Sequence, residues 1–349
     1  MSSEFVSLLS GTASKLGLGL QNWRTLNIAE LELIFLEILL PHTPKVRVID
    51  MGIEGSWNKL WCYRHLQGRF RAYEPSVAFT LRHLRELTLR GSILNHGVYV
   101  DLAPLVNAAP NLRNLRLSAL GYGKAANNVP LAASNITALY IYFSPTLHCV
   151  PPIIRACRQL QVFYMNLHFG RKYLTHNGLL EDREAGVDMG TIIDALKKHV
   201  NTLHTVALCE MPTTDNQPDD SITGLRELVN VKVLFITPHI LLRKKTVGNV
   251  DSTLPEIFPP AVEVLHLEDY IDEDLVQDLR ALDRSLESGN FQQLREIMVY
   301  QNDGCCAGVD VKAYSQLVKK PDSVLPFFKK SWGIVHCTYG DGRRGYTRL

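Results

Sequence analysis

The chain has 349 residues, of which 46% are apolar and 21% charged. That balance excludes a largely disordered protein, because such chains lack the apolar area needed to fold. The 37 basic and 35 acidic residues leave a formal net charge of +2, which is no electrostatic footprint of a nucleic-acid-binding protein.

The N-terminus, Met1-Ser2-Ser3-Glu4-Phe5, lacks the basic and apolar regions of a secretory signal. The longest apolar run, Leu31 to Leu40, is interrupted by Glu32 and Glu37 and is too short to cross a bilayer. Seven cysteines, odd in number and without C-x-x-C spacing, point to reduced thiols in a cytosolic or nuclear protein. No membrane partner is expected.

In chain order, Phe5–Leu9 suits a short helix, followed by an apolar triplet at Trp23, Leu26 and Ile28. Glu30 to Leu40 has helical periodicity and ends before Pro41. A second triplet, Val46, Ile49 and Met51, precedes the best-formed stretch, Leu84 to Leu94, which reads L-x-x-L-x-L-x-x-S-x-L. The same spacing returns at Leu112, Leu115 and Leu117, at Ile136, Leu139 and Ile141, and at Leu160, Phe163 and Met165. It continues at Leu203, Val206 and Leu208, then at Val231, Leu234 and Ile236. Val262, Leu265 and Leu267, and finally Leu294, Ile297 and Val299, complete the series. From Leu84 to Leu160 the copies start 28, 24 and 24 residues apart, and the later steps are 43, 28, 31 and 32.

A recurring L-x-x-L-x-L unit of this length is the mark of a leucine-rich repeat. Each copy then supplies one short parallel strand and a returning segment, and the apolar triplets stack into a continuous core. The expected fold is an α/β leucine-rich-repeat solenoid, a horseshoe with a curved parallel sheet and helices on its convex side, with irregular repeats. Residues 1–22 are expected to form an N-terminal helix or cap or a truncated repeat, 23–300 the solenoid, and 301–349 a degenerate cap with a basic tail. Returning helices are predicted over Leu102–Ala108 after Asp101, over Pro151–Cys157, over Thr191–His199 and over Ile222–Val229. Three prolines predict a short, irregular return between Thr253 and Pro260. The longest helix is expected from Asp272 to about Leu286. The stretches 171–190 and 213–220 are polar and turn-rich and read as exposed loops. Trp332, Val335 and Cys337 suggest one more degenerate strand, and Arg343 to Arg348 a frayed tail.

Catalytic signatures are missing. The chain has no phosphate-binding G-x-x-x-x-G-K-[ST] loop, no H-E-x-x-H and no G-x-S-x-G. The adjacent Cys305 and Cys306 make a poor zinc template with His336 and Cys337, because ligand pairs normally stand two to four residues apart. Neither an enzyme nor a cofactor is expected.

Side chains alternate across a strand with period two, so residues between and after the second and third apolar positions face the hollow. One row is Asp50, Thr88, Arg116, Tyr140, Tyr164, Ala207, Phe235, His266 and Met298. The next runs from Arg90 through Tyr142 and Asn166 to Tyr300. Aromatic residues and arginine are characteristic of binding surfaces. Thr88, Arg90, Arg116, Tyr140, Tyr142, Tyr164, Asn166, Phe235, His266 and Tyr300 are therefore the candidate contacts for a protein partner on the concave face. The rival readings are an enzyme with catalytic groups on a loop such as 171–190, and a truncated structural array.

The segment Leu102 to Leu117, a helix followed by P-N-L-R-x-L-x-L, resembles the repeat region of fungal F-box and F-box-like leucine-rich-repeat proteins. The resemblance extends from about Trp23 to Val299. It implies a substrate-recognition module whose F-box docks on the adaptor of a cullin-RING ubiquitin ligase. Residues 1 to 30 contain no L-P-x-E-[IL] opening of an F-box.

Overall fold

Leu87 and Leu89 expose none of their surface, Thr88 between them is half-buried, and Arg90 beyond them is exposed. This alternation is what a pleated strand with one face on a core must show, and it recurs along the chain. The computed structural model describes residues 11, 45–53, 81–91, 98–99, 106, 108–118, 120–121, 135–142, 150–166, 189–209, 223–236, 254–268, 281–282, 284–286, 288–301, 336–340 and 343–347. The Trp23 copy, the predicted helix over Glu30–Leu40, residues 171–188 and the loop 213–220 lie outside these. The chain divides into two units, 1–149 with 156–158, and 150–155 with 159–349.

In the first unit, β1 (Val48–Ile53), β2 (Glu86–Gly91), β4 (Asn114–Ser118) and β6 (Ala138–Tyr142) run parallel in that spatial order. Two-residue strands β3 (Val98–Tyr99) and β5 (Leu120–Gly121) form a small parallel pair of their own. Register places Ile49, Leu87, Leu115 and Leu139 in one row and Met51, Leu89, Leu117 and Ile141 in another. Leu84, Leu112 and Ile136 are also buried. Each such side chain contributes roughly 1.5–3 kcal/mol on burial, so the stacked triplets account for the fold.

The residue before each strand has a fixed backbone role. Arg47 O accepts the N–H groups of Arg85 and Glu86, Arg85 O those of Arg113 and Asn114, and Arg113 O those of Thr137 and Ala138. Asparagines just before the first apolar position add a second tie between neighbouring copies. Asn111 Nδ2 donates to Arg82 O at 2.8 Å, and Asn135 donates to Pro110 O. The consensus asparagine after the strand is mostly absent from the sequence, with Asn302 in the last copy, and Asn111 and Asn135 supply backbone ties at another place.

The second unit holds β7 (Val162–Asn166), β8 (Thr205–Cys209), β9 (Val233–Ile236), β10 (Val264–Glu268) and β11 (Glu296–Gln301), all parallel. Their core row is Phe163, Val206, Leu234, Leu265 and Ile297. β12 (His336–Gly340) adds in parallel to β11, and β13 (Arg343–Thr347) pairs antiparallel with β12. The segment expected as a frayed tail is thus a paired strand, whose backbone groups recover hydrogen bonds along β12. The chain is an α/β leucine-rich-repeat array of irregular repeats.

Helix α1 (Val150–Ala156) begins with two prolines, which are tolerated in a first turn. Helix α2 (Met189–Lys197) buries Ile192, Ile193, Ala195 and Leu196. It starts two residues before the predicted Thr191, so Met189 and Gly190 belong to it and not to the loop 171–190. Next, Thr223–Glu227 is a 3-10 helix and shorter than the predicted Ile222–Val229. Gly224 allows it to lie against α2: a Cβ there would stand 2.9 Å from Ile193 Cγ2. Helix α3 (Leu254–Ile257) is a single turn, as its prolines dictate. Of the long helix predicted from Asp272, residues 281–282 and 284–286 are described and helical. Of the helix predicted over Leu102–Ala108, Val106 and Ala108 are described, helical and buried.

His199, just after α2, is buried. Its Nε2 lies 2.9 Å from Ile154 O, and its Nδ1 accepts the Leu160 N–H at 3.4 Å. With the Nε2 proton donated to the carbonyl, one ring ties α1 and the entry to β7 to the end of α2.

Candidate functional site

In the first unit the face away from the core carries Asp50, Thr88, Arg116 and Tyr140 side by side, one per strand. Two residues further on, Gly52, Arg90, Ser118 and Tyr142 form the next row. Arg90 makes an ion pair with Asp50 on the diagonal. Both side chains are about half exposed, so solvent screens the pair and it stabilises little. The Arg116 guanidinium lies over the Tyr140 ring, 4.8 Å from its centroid, a cation–π contact. The predicted residues Thr88, Arg90, Arg116, Tyr140 and Tyr142 therefore share one face on three neighbouring strands.

In the second unit the corresponding row is Tyr164, Ala207, Phe235, His266 and Met298. Asn166 Nδ2 donates to the Tyr164 hydroxyl at 3.1 Å, which orients the phenol. The ring of Phe235 stacks on His266. Tyr300 takes its register position opposite Glu268 and is placed by its backbone alone.

This second face is not uniformly open. Ala207 exposes 0% of its surface, Cys209 2% and His266 8%. Period two assigns these positions to the hollow, but their burial also depends on neighbours. Ala207 is small and stands between Tyr164 and Phe235 in the row; the His266 ring is covered on one side by Phe235. Burial lowers the His266 pKa to about 4, since a cation loses more hydration than the neutral ring. Tyr164, Asn166 and Phe235 remain half-buried.

No family model matches the chain, and no curated protein does. Among solved structures it is similar to an internalin of Listeria monocytogenes. The identity is 14%, the alignment covers 64% of each chain, and the TM-score is 0.29. The aligned part thus spans less than two thirds of the internalin's length. A likeness this loose carries no argument about function, and the fold assignment rests on the strand register above.

Two polar groupings escape the period-two reading. At the starts of β9, β10 and β11, Glu263 bridges Lys232 at 2.9 Å and Arg295 at 2.8 Å. The Lys232 hydrogen bond holds the Glu263 carboxyl below its ordinary pKa. On α2, Lys197 bonds Glu227 at 2.8 Å and Asp194 at 3.2 Å, and the Glu227 bond chiefly raises its pKa. The charges of Lys232, Glu263 and Arg295, each just before a strand, were the sequence signal for the first. The second joins residues 30 apart and had no local signal. Among the described residues no three His, Cys, Asp or Glu side chains stand close enough to hold a metal ion.

Proposed function

We propose that this protein is a non-enzymatic scaffold that holds a protein partner on the open face of its repeat strands. The observation that carries this reading is the alignment in register of Arg116 and Tyr140 beside Thr88 and Arg90. Tyrosine provides a large contact area with few rotatable bonds, and arginine provides directional donors. In the second unit Tyr164, oriented by Asn166, has the same character. Supporting contacts are proposed for Tyr142, Phe235 and Tyr300. His266 would act by fixing the Phe235 ring.

The finer reading is a substrate-recognition module of a cullin-RING ubiquitin ligase. Its support is the repeat style of Leu102 to Leu117, shared with fungal F-box-like proteins. The test has two arms. Partners are first recovered by affinity purification and their affinities measured against Tyr140→Ala and Tyr164→Ala, with circular dichroism as the check on folding. A loss of about tenfold or more with the fold intact supports the open face, and unchanged affinity for every partner sinks it. Recovery of the cullin and its adaptor supports the ligase reading; partners without either remove it and leave the scaffold reading standing.

A further inference from the structure

The residue immediately before a strand recurs at one structural place: the carbonyls of Arg47, Arg85, Arg113, Gln161, His204 and Lys232 each receive two N–H groups from the next copy, and that of Glu263 receives the Arg295 N–H. In the second unit three successive residues at this place are Lys232, Glu263 and Arg295, and the Glu263 carboxylate pairs with both cations. In the first unit they are Arg47, Arg85 and Arg113. All three are exposed, and among the described residues none forms an ion pair. Their strands are neighbours, so their backbones stand about 4.8 Å apart. Like charges placed opposite one another on adjacent strands repel. Among the described residues the one polar contact of these guanidinium groups is Arg85 Nη1 to Asn111 O at 3.4 Å. Glu86, next to Arg85, has the opposite strand parity and makes no ion pair with them. Lys45 and His83, also exposed, extend the same edge.

We infer that this edge of the first unit is a docking site for an acidic segment of a partner protein, with Arg47, Arg85 and Arg113 as its anchors. Guanidinium groups are matched to carboxylates because the planar fork accepts two parallel hydrogen bonds. Incoming carboxylates would supply the counter-charge that Glu263 provides at the same place in the second unit. A single-stranded nucleic acid fits less well. Such strands are held by aromatic stacking as well as charge, and no Phe, Tyr or Trp among the described residues lies at this edge. The edge is distinct from the open face proposed above, so either can fail without the other.

The full chain is titrated with a short labelled oligoglutamate peptide, with oligoglutamine of equal length as neutral control and oligothymidylate as the rival polyanion. Oligoglutamate is expected to bind in a salt-sensitive manner and oligoglutamine not to bind. The variant Arg47→Gln/Arg85→Gln/Arg113→Gln is expected to bind oligoglutamate about tenfold more weakly or worse. Arg295→Gln, in the row already paired through Glu263, should leave binding unchanged. Arg85→Gln alone gives the same reading with a smaller loss if the triple variant fails to fold. Absence of oligoglutamate binding, equal binding by the variants, or tighter binding of oligothymidylate overturns the assignment.

Discussion

The imidazole of His266 lies flat on the phenyl ring of Phe235, with ring centroids 3.7 Å and planes 10° apart. Both residues come from the same register row of neighbouring strands, so the sheet itself imposes the stack. Burial keeps the folded ring neutral down to about pH 4, against an ordinary value of 6.5. Between those limits the unfolded chain binds the extra proton. The contribution is thus fully present above pH 6.5 and falls as pH drops toward 4. It amounts to at most about 3 kcal/mol. Urea unfolding at neutral and mildly acidic pH should show a larger acid loss for the native chain than for His266→Phe. Equal losses would show that His266 has the same pKa folded and unfolded, so that burial does not hold its ring neutral.

The Arg116–Tyr140 contact is exposed on the arginine side, so its strength should be modest. A double-mutant cycle of Arg116→Ala and Tyr140→Leu is expected to give a coupling of about 0.5–1 kcal/mol by chemical denaturation. A coupling indistinguishable from zero would mean that the two side chains merely lie near each other.

His199 satisfies a buried carbonyl and a buried N–H at once. His199→Leu preserves bulk but abandons Ile154 O and Leu160 N–H, which should cost roughly 2–3 kcal/mol. His199→Gln can restore one bond and should fall between. Thermal unfolding ranks the three; a leucine variant as stable as the native chain contradicts the role assigned to the ring.

Gly224 is constrained by space. Gly224→Ala drives a methyl group against Ile193 Cγ2 and, at 3.0 Å, Lys197 Cε, and overpacking of this kind costs about 1–3 kcal/mol. Adding Ile193→Ala removes the obstructing carbon. The double variant should therefore be less destabilised than the sum of the two single variants, and strict additivity would argue against the clash.

The triplets led by Leu84, Leu112, Ile136 and Leu160 were legible because period two is local. A strand that buries alternate residues must write that alternation within five positions, and these leucines do. The open rows followed from the same rule, and Thr88, Arg116 and Tyr140 lie where it puts them. The rule failed at Ala207 and His266, where exposure depends on Tyr164, Phe235 and other neighbours distant in sequence. The 3-10 helix at Gly224 escaped notice for a similar reason, since its limit is the approach of Ile193.

From its own order of residues, then, the chain determined a parallel array of leucine-rich repeats and the face its cores occupy. Only the tertiary structure decided which charges meet. Lys232, Glu263 and Arg295 become an ion-paired row, while Arg47, Arg85 and Arg113 become one with no acidic member. Strand pairing brings together side chains some 30 or more residues apart, and charge, unlike alternation, leaves no local period to read.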